Sequence, residues 1–267
     1  MKRPNYSRAW PESWKLSHHY DQMELYGASP RSGYAHGYRV RAKHTLDCFE
    51  RFVPLGSRVL DVAAGQGNFT LNLAERGYDV TWNDLRSDLA EYVEAKRERG
   101  SVHYLPGNVL ELSRDRPFDA ILLGEVIEHV AHPDRFLESV ATLVRPGGTI
   151  VLSTPNGAYV RNKLPRFSDC PDPSIFESVQ FKPDGDGHIF LLYADELRTF
   201  ARNAGLELRE LKFYGNPLTN GYLKLGRVLP LLPEWWVEGV ERVTQRLPAV
   251  LSRKVNAALV AVLRRVA

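Results

Sequence analysis

The stretch from Arg58 to Asn68 constrains the fold of this 267-residue chain more than any other. An apolar pattern typical of a strand leads into a turn of small residues at 63–67, and a helical pattern follows at once. Such a turn lets a ligand approach the backbone closely, and the start of the next helix offers N–H groups that lack partners within the helix. Asp84 ends the next apolar run, 23 residues after Asp61. An acid at that distance is typical of a ribose-hydroxyl acceptor, so the spacing predicts a nucleoside-containing cofactor.

Apolar runs typical of strands alternate with amphipathic segments typical of helices from residue 58 to about residue 156. The strand-like runs are Arg58–Ala63, Asp79–Asp84, Val102–Leu105, Phe118–Gly124 and Thr149–Ser153, and the helix-like segments are Phe69–Arg76, Leu85–Arg97 and Pro133–Val144. The sequence Arg145-Pro146-Gly147-Gly148 predicts a turn before the fifth strand. Because strands joined by helices favour a parallel sheet with right-handed crossovers, we predict a doubly wound, Rossmann-like α/β fold.

The alternation ends after residue 156. Residues 157–190 are rich in Pro, Asp and Gly and are predicted to be an insertion, and residues 216–253 a second one. A further helix and the last two strands are predicted at Ala194–Ala204, Leu206–Tyr214 and Ala257–Leu263. The sheet then has seven strands and is mostly parallel, with an antiparallel last strand. Residues 1–50 are rich in aromatic side chains and are predicted to form a helical lid on a main domain at 51–267.

Composition narrows the class of protein. The chain has 35 basic and 32 acidic residues, a balance that does not indicate binding to nucleic acid. Its start shows no secretion signal, and the chain holds no run of about 18 apolar residues. The two cysteines, Cys48 and Cys170, lie far apart and outside any metal-binding spacing. These features predict a cytoplasmic protein with free thiols and no nucleic-acid partner.

The order and spacing of five short motifs resemble the class I S-adenosylmethionine-dependent methyltransferases over about residues 40–215. The motifs are Leu60-Asp61-Val62-Ala63-Ala64-Gly65-Gln66-Gly67, Asn83-Asp84, Gly107-Asn108-Val109, Glu125-Val126-Ile127-Glu128-His129-Val130 and Arg145-Pro146-Gly147-Gly148. Within that family the chain is most similar to ubiquinone-biosynthesis-type and related small-molecule O-methyltransferases. The resemblance implies transfer of a methyl group to a hydroxyl of a sugar, glycoside, polyketide or quinone-like phenol. A small-molecule N-methyltransferase and a non-catalytic cofactor-binding scaffold remain open as alternatives.

The resemblance also implies which residues contact S-adenosylmethionine. They are Asp61, Ala63, Gly65, Gly67, Asp84, Leu85, Asn108, Val109, Glu125 and Arg41. Asp84 would accept hydrogen bonds from the ribose hydroxyls, and Asn108 would border the adenine, where the family commonly has aspartate. Arg41, or Arg39, would hold the methionine carboxylate. Ala63 stands where the family usually has its first glycine, so either the turn tolerates a methyl group or its shape differs here.

A second group of residues predicts catalytic chemistry. Glu125, Glu128 and His129 are spaced i, i+3 and i+4, so they share one side if the chain is helical there, and His188 follows 59 residues after His129. Two carboxylates and two imidazoles can hold Mg²⁺ or another divalent cation. This arrangement resembles that of the metal-dependent small-RNA 3′-terminal 2′-O-methyltransferases. Two alternatives stay open, in which a histidine acts as general base or the group is purely structural.

The run from Tyr222 to Trp236 combines apolar residues, two tryptophans and scattered basic residues. Such a run is typical of a peripheral membrane contact, of a cap over an apolar pocket, or of a homodimer contact. We carry all three as alternatives.

Overall fold

A computed structural model of the chain describes residues 1–26, 33–180, 187–216 and 231–266. The helices are α1 (Glu12–Glu24), α2 (Gly33–Phe52), α3 (Asn68–Glu75), α4 (Leu89–Lys96), α5 (Pro133–Ala141), α6 (Ala194–Asn203), α7 (Glu234–Gln245) and α8 (Ala249–Val255). The strands are β1 (Arg58–Val62), β2 (Asp79–Asn83), β3 (Ser101–Tyr104), β4 (Phe118–Gly124), β5 (Val144–Pro155), β6 (Leu206–Tyr214) and β7 (Ala258–Arg265).

The seven strands form one sheet in the order β3-β2-β1-β4-β5-β7-β6. The first five strands run parallel, and β7 is antiparallel to both of its neighbours. The predicted doubly wound, mostly parallel seven-stranded sheet with an antiparallel last strand is therefore confirmed. Strand order reverses between β1 and β4, which makes the carboxyl ends of these two strands the expected ligand site.

Helices cover both faces of the sheet, and the alternation of side chains along β4 shows how. Ile121 and Leu123 belong to the core beneath α5 and α6, whereas Ala120 and Leu122 belong to the core beneath α2 and α3. Successive side chains of a strand point to opposite faces, so a continuous apolar run is what a strand covered on both sides requires. With helices on both faces, the carboxyl ends of the central strands lie together at one edge of the sheet.

The largest differences between predicted and observed boundaries are at the starts of β5 and α4. β5 begins at Val144 and includes the Arg145–Gly148 stretch, for which a turn was predicted; its pairing with β4 shifts register there instead. Helix α4 begins only at Leu89, because the chain first folds back on Asp84, whose carboxylate accepts from the Arg86 amide. Both differences arise from hydrogen bonds that a local hydrophobic pattern does not report.

The amino-terminal region comprises α1 and α2. Helix α2 continues past residue 50, and its Leu46 and Phe49 are buried in the core under the sheet. In the second predicted insertion the described part contains α7 and α8, and in the first it contains short 3₁₀ turns. The run Tyr222–Trp236 lies outside the described residues as far as position 230. Among the helices of the described part, none is long and apolar enough to cross a bilayer.

A fully buried ion pair attaches α1 to the rest of the molecule. The Asp21 Oδ2 atom lies 2.6 Å from the Lys96 Nζ atom, and neither side chain is exposed. The Tyr92 hydroxyl and the Asn68 amide also donate to the Asp21 carboxylate, at 2.8 and 2.9 Å. Lys96 in turn donates to the Gln66 carbonyl at 3.0 Å. Because Gln66 and Asn68 belong to the glycine turn and the start of α3, this network connects α1 to that turn.

Replacing Lys96 with methionine tests this network. The variant leaves the Asp21 carboxylate buried without its cation, and we expect the free energy of unfolding to fall by about 3–5 kcal/mol. Urea denaturation measures the loss, and the double variant Asp21→Asn/Lys96→Met should lose less than the sum of the two single variants. Lys15→Met, which removes a surface partner of Glu12, is the control and should change little. A Lys96→Met protein as stable as that control contradicts the role assigned to the pair.

Candidate active site

A cavity of 400 Å³ opens at the carboxyl ends of β1, β2 and β4. Six of the ten residues predicted to contact the cofactor line it: Ala63, Asp84, Leu85, Asn108, Val109 and Glu125. Asp61 is buried within β1 instead, Gly65 and Gly67 shape the turn, and Arg41 lies on α2 beside Glu125. His129 lines the same cavity. The sequence therefore placed most of these residues around one space, which is of a size typical of ligand pockets.

The turn after β1 has an unusual backbone. Ala63, Gly65 and Gly67 all have positive φ, at +50°, +53° and +73°. A Cβ atom at Gly67 would lie 2.6 Å from the Val93 Cγ1 atom, so this position requires glycine. Ala63 thus keeps the conformation that a glycine would adopt and tolerates the strain, which costs about 1–2 kcal/mol for an L-residue. Strained residues of this kind cluster at ligand sites.

Asp84 holds this turn in place. Its Oδ2 atom accepts a hydrogen bond from the Gly65 amide at 2.8 Å, and its Oδ1 atom accepts from the Arg86 amide at 2.9 Å and the Arg86 Nε atom at 3.0 Å. The Asp84 side chain is almost fully buried, whereas the Arg86 side chain is about one-third exposed. Arg86 was not singled out from the sequence. Arg86 follows two residues after Asp84, the acid that ends the second strand, and this position could have identified it as a site residue.

Glu125 is the second strained residue at the cavity. It follows β4 with φ +57°, and its Oε2 atom lies 3.3 Å from the Arg41 guanidinium. The condition under which Glu125, Glu128 and His129 would share one side of a helix is not met, because only a short 3₁₀ turn forms, at Ile127–His129. Glu125 precedes that turn in a left-handed conformation, so the i, i+3, i+4 spacing does not align its carboxylate with the other two side chains.

Glu128, His129 and His188 do converge. One possible ligand atom from each lies within 4.8 Å of those of the other two. His129 and His188 meet edge to face with ring centroids 5.0 Å apart, and the Ile189 amide donates to the Glu128 carbonyl at 2.8 Å, which brings residue 188 to this position. Of the four residues predicted as metal ligands, the structure therefore assembles three and leaves Glu125 beside Arg41.

The Glu128 carboxylate is the most constrained group at the site. It is fully buried; its Oε2 atom accepts from the Thr154 hydroxyl at 3.0 Å, while its Oε1 atom has no hydrogen-bond partner among the described residues. Burial, together with the charge of Glu125, raises the pKa of Glu128 well above its usual range. A carboxylate oxygen that is buried without a partner next to two imidazoles is a suitable ligand for a divalent cation.

A smaller cavity of 180 Å³ lies on the other side of Glu125. Three tyrosines line it, Tyr34 and Tyr38 from α2 and Tyr214 from the end of β6. Glu125 and Arg41 also border it, so Glu125 contributes to the walls of both cavities. Burial raises the pKa values of all three phenols, which keeps them neutral near pH 7. Sequence reasoning missed Tyr214, although its place at the carboxyl end of a strand was a usable signal.

Asp61 provides a test by pH. Burial raises the pKa of its carboxyl to about 7, although the Thr70 hydroxyl donates to it at 2.6 Å. The folded chain therefore keeps a proton that the unfolded chain releases near pH 3.8. The stability that this proton contributes is complete below pH 3.8 and is lost as the pH rises through about 7.

We expect Asp61→Asn to flatten this dependence. Without added cofactor, the unfolding free energy of the wild type should decrease as the pH rises from about 4 to about 7. Relative to the variant, the decrease should reach up to about 1.4 kcal/mol per pH unit. Urea denaturation across that range measures both slopes. Asp79→Asn is the control, because the Ser101 hydroxyl lowers the pKa of Asp79 and the group stays charged over this range. Parallel slopes for wild type and Asp61→Asn contradict the assignment.

Comparison with known proteins places these features in context. A family model described as a methyltransferase domain matches residues 34–211. The chain is 33% identical over 195 residues to a ubiquinone biosynthesis O-methyltransferase of Chromobacterium violaceum, an alignment that covers 66% of this chain and 77% of that protein. A protein of the same name from Dechloromonas aromatica is 33% identical over 190 residues, with the same two coverages.

The fold is also similar to that of solved structures. An S-adenosylmethionine-dependent methyltransferase from Mesorhizobium loti matches with a TM-score of 0.54 and 16% identity, covering 82% of this chain and 96% of that one. At this level of identity the likeness concerns the fold alone.

Proposed function

The chain belongs to the family of S-adenosylmethionine-dependent methyltransferases, and on that premise we propose that it transfers a methyl group to a hydroxyl group of a small molecule. The observation that carries this proposal is the position of Glu125, which borders both the 400 Å³ cavity and the smaller tyrosine-lined one. One cavity suits the cofactor and the other the acceptor, and the two meet at a single side chain. A small-molecule N-methyltransferase and a non-catalytic scaffold remain the alternatives.

The larger cavity fits the cofactor by the chemistry of its walls. S-adenosylmethionine, when bound, supplies a methyl group on a positively charged sulfur. The left-handed turn at Ala63–Gly67 exposes backbone to a ligand, and the Asn108 side-chain oxygen, which accepts from the Leu110 amide at 3.1 Å, keeps a second lone pair for an adenine amino group. For Asp84 to bind a ribose, the partly exposed Arg86 guanidinium has to move off its carboxylate. Arg41, which pairs with the Glu125 carboxylate in this structure, would instead pair with the methionine carboxylate of the cofactor.

The role of Asp84 is tested with S-adenosylhomocysteine and calorimetry. Removing a charged acceptor for ribose should weaken binding about tenfold to a hundredfold in Asp84→Asn. Asp79→Asn is the matched control, since Asp79 lies at the opposite end of the same strand. Thermal unfolding of the free variants shows whether loss of the Gly65 contact disturbs the fold. Unchanged affinity in a folded Asp84→Asn protein rules out the ribose assignment.

The smaller cavity supports a phenolic acceptor over the sugar, glycoside and polyketide alternatives. Three tyrosine rings line it and suit contact with an aromatic ring, although the Tyr34 hydroxyl already donates to the Glu24 carboxylate at 3.0 Å. None of these phenols is ionised near neutral pH, so none serves as the base. The proton of the acceptor hydroxyl therefore has to leave by way of Glu125 or the Glu128–His129–His188 group.

We further propose that Glu128, His129 and His188 hold a divalent cation, such as Mg²⁺. Such a cation supplies positive charge that lowers the pKa of a nearby hydroxyl. Within the described part of the chain the Glu128 Oε1 atom has no hydrogen-bond partner, which favours a cation over the general-base alternative, because a bound cation would stabilise the charged carboxylate that burial alone disfavours. Thr154 orients the other oxygen, and the Glu125–Arg41 ion pair lies beside the acceptor cavity.

Chelation and metal titration separate the alternatives. We expect a chelator to abolish methyl transfer to simple phenols and Mg²⁺ or Mn²⁺ to restore it. Calorimetric titration with Mn²⁺ should show affinity at least about tenfold weaker in Glu128→Gln and His188→Ala. His103→Ala, a histidine on exposed β3, is the control and should bind Mn²⁺ as the wild type does. Activity that survives chelation but is lost in His188→Ala assigns the histidine as general base and overturns the cation proposal.

A cytoplasmic location, a homodimer contact and the lack of a nucleic-acid partner stay predictions. So does the lid function of residues 1–50, although the Asp21–Lys96 pair shows that α1 is anchored beside the turn at the cavity.

A further inference from the structure

Helices α7 and α8 carry large apolar side chains in exposed positions. Trp235 is 69% and Val243 64% exposed, and Val250 and Leu251 on α8 are about half exposed. These four residues, together with the four cations described below, are called the α7–α8 surface. The proposed methyl transfer uses none of them.

The orientation of α7 is set from its buried side. Val237 and Glu241 face inward, and the Glu241 carboxylate accepts from the Gly215 amide at 2.8 Å and from the Asn216 side-chain amide at 2.6 Å. These bonds attach α7 to the end of β6. Because residues three or four apart share a helix face, Trp235 and Val243 are held outward on the opposite side.

Helix α7 carries Glu234, Glu238 and Glu241, and the basic part of this surface begins after them. Residues 242–256 contain four cations and no acid: Arg242, Arg246, Arg253 and Lys254. All four are exposed, and within the described residues no ion pair joins any of them to a carboxylate. Many other surface arginines do have such partners, for example Arg51 with Glu210 and Arg166 with Asp195.

A cleft of 580 Å³ between α2 and α7 extends this basic character. Arg39 and Lys43 line its α2 side, and Arg242 lines its α7 side, so Arg242 belongs to both the cleft and the α7–α8 surface. The acids at the cleft are Glu238 and the buried Glu241, which is already bonded to the end of β6. Three cations that converge on a cleft beside exposed apolar side chains suit a phosphate headgroup next to acyl chains.

We propose that the α7–α8 surface rests on an anionic lipid bilayer, with the apolar side chains at the interface and the cations on lipid phosphates. Tryptophan favours the interfacial region, and cations that lie next to exposed apolar side chains bind anionic headgroups. A second copy of the chain fits less well, because a twofold contact would bring like cations together. This surface overlaps the run Tyr222–Trp236 only at its end and does not depend on the proposed methyl transfer.

Vesicle flotation with the full chain tests the proposal. We expect binding to vesicles that contain phosphatidylglycerol, little binding to phosphatidylcholine alone, and release by high salt. Trp235→Ala and the double variant Arg242→Glu/Arg246→Glu should each reduce binding about tenfold or more. All three substitutions are at exposed positions, and circular dichroism confirms that the variants fold.

Exposed residues elsewhere serve as controls. Ile175→Ala matches the loss of an exposed apolar side chain, and Arg198→Glu/Arg202→Glu matches the double charge reversal, so both variants should bind as the wild type does. The proposal is overturned if the wild type ignores anionic vesicles, or if the surface variants bind like the controls. It is also overturned if sedimentation equilibrium shows a dimer that Trp235→Ala dissociates, since the surface would then be occupied by a second copy.

Discussion

The buried ion pair between Asp21 and Lys96 is the interaction on which the site depends. Two opposite charges in a dry interior are stable only when every remaining donor and acceptor is satisfied, and here Tyr92 and Asn68 complete the set. Because Lys96 also bonds the Gln66 carbonyl, the pair fixes the turn that forms one wall of the larger cavity. Helix α1, far from the turn in sequence, is thus a structural part of the site.

Two residues that line that cavity have a strained backbone. Ala63 and Glu125 have positive φ, and each follows one of the two central strands between which strand order reverses. Each conformation persists because the surroundings determine it: the Asp84 carboxylate holds the turn through Gly65, and the Glu125 amide bonds the Ser153 carbonyl at 2.9 Å. The strain directs the Glu125 carboxylate to the boundary of the two cavities, where Arg41 meets it.

The buried acids of the site differ in their surroundings. The Asp84 carboxylate accepts hydrogen bonds from a backbone amide and a guanidinium, whereas burial disfavours the charged forms of Asp61 and Glu128. If these groups served only the stability of the fold, apolar residues of similar size would serve as well. Their presence around one cavity agrees with a site that binds a charged ligand. S-adenosylmethionine, the cofactor of the family to which the chain belongs, is such a ligand.

The sequence by itself determined the family, the doubly wound sheet and most of the residues around the larger cavity. These depend on local rules: strand and helix periods, glycine at positive φ, and an acid at the end of the second strand. Only the tertiary structure decided that Glu125 turns toward Arg41, that His188 joins Glu128 and His129, and that Asp21 pairs with Lys96. Each of these contacts joins residues from separate elements. Their geometry follows from how the elements pack and from backbone strain, neither of which a periodic pattern along the chain encodes.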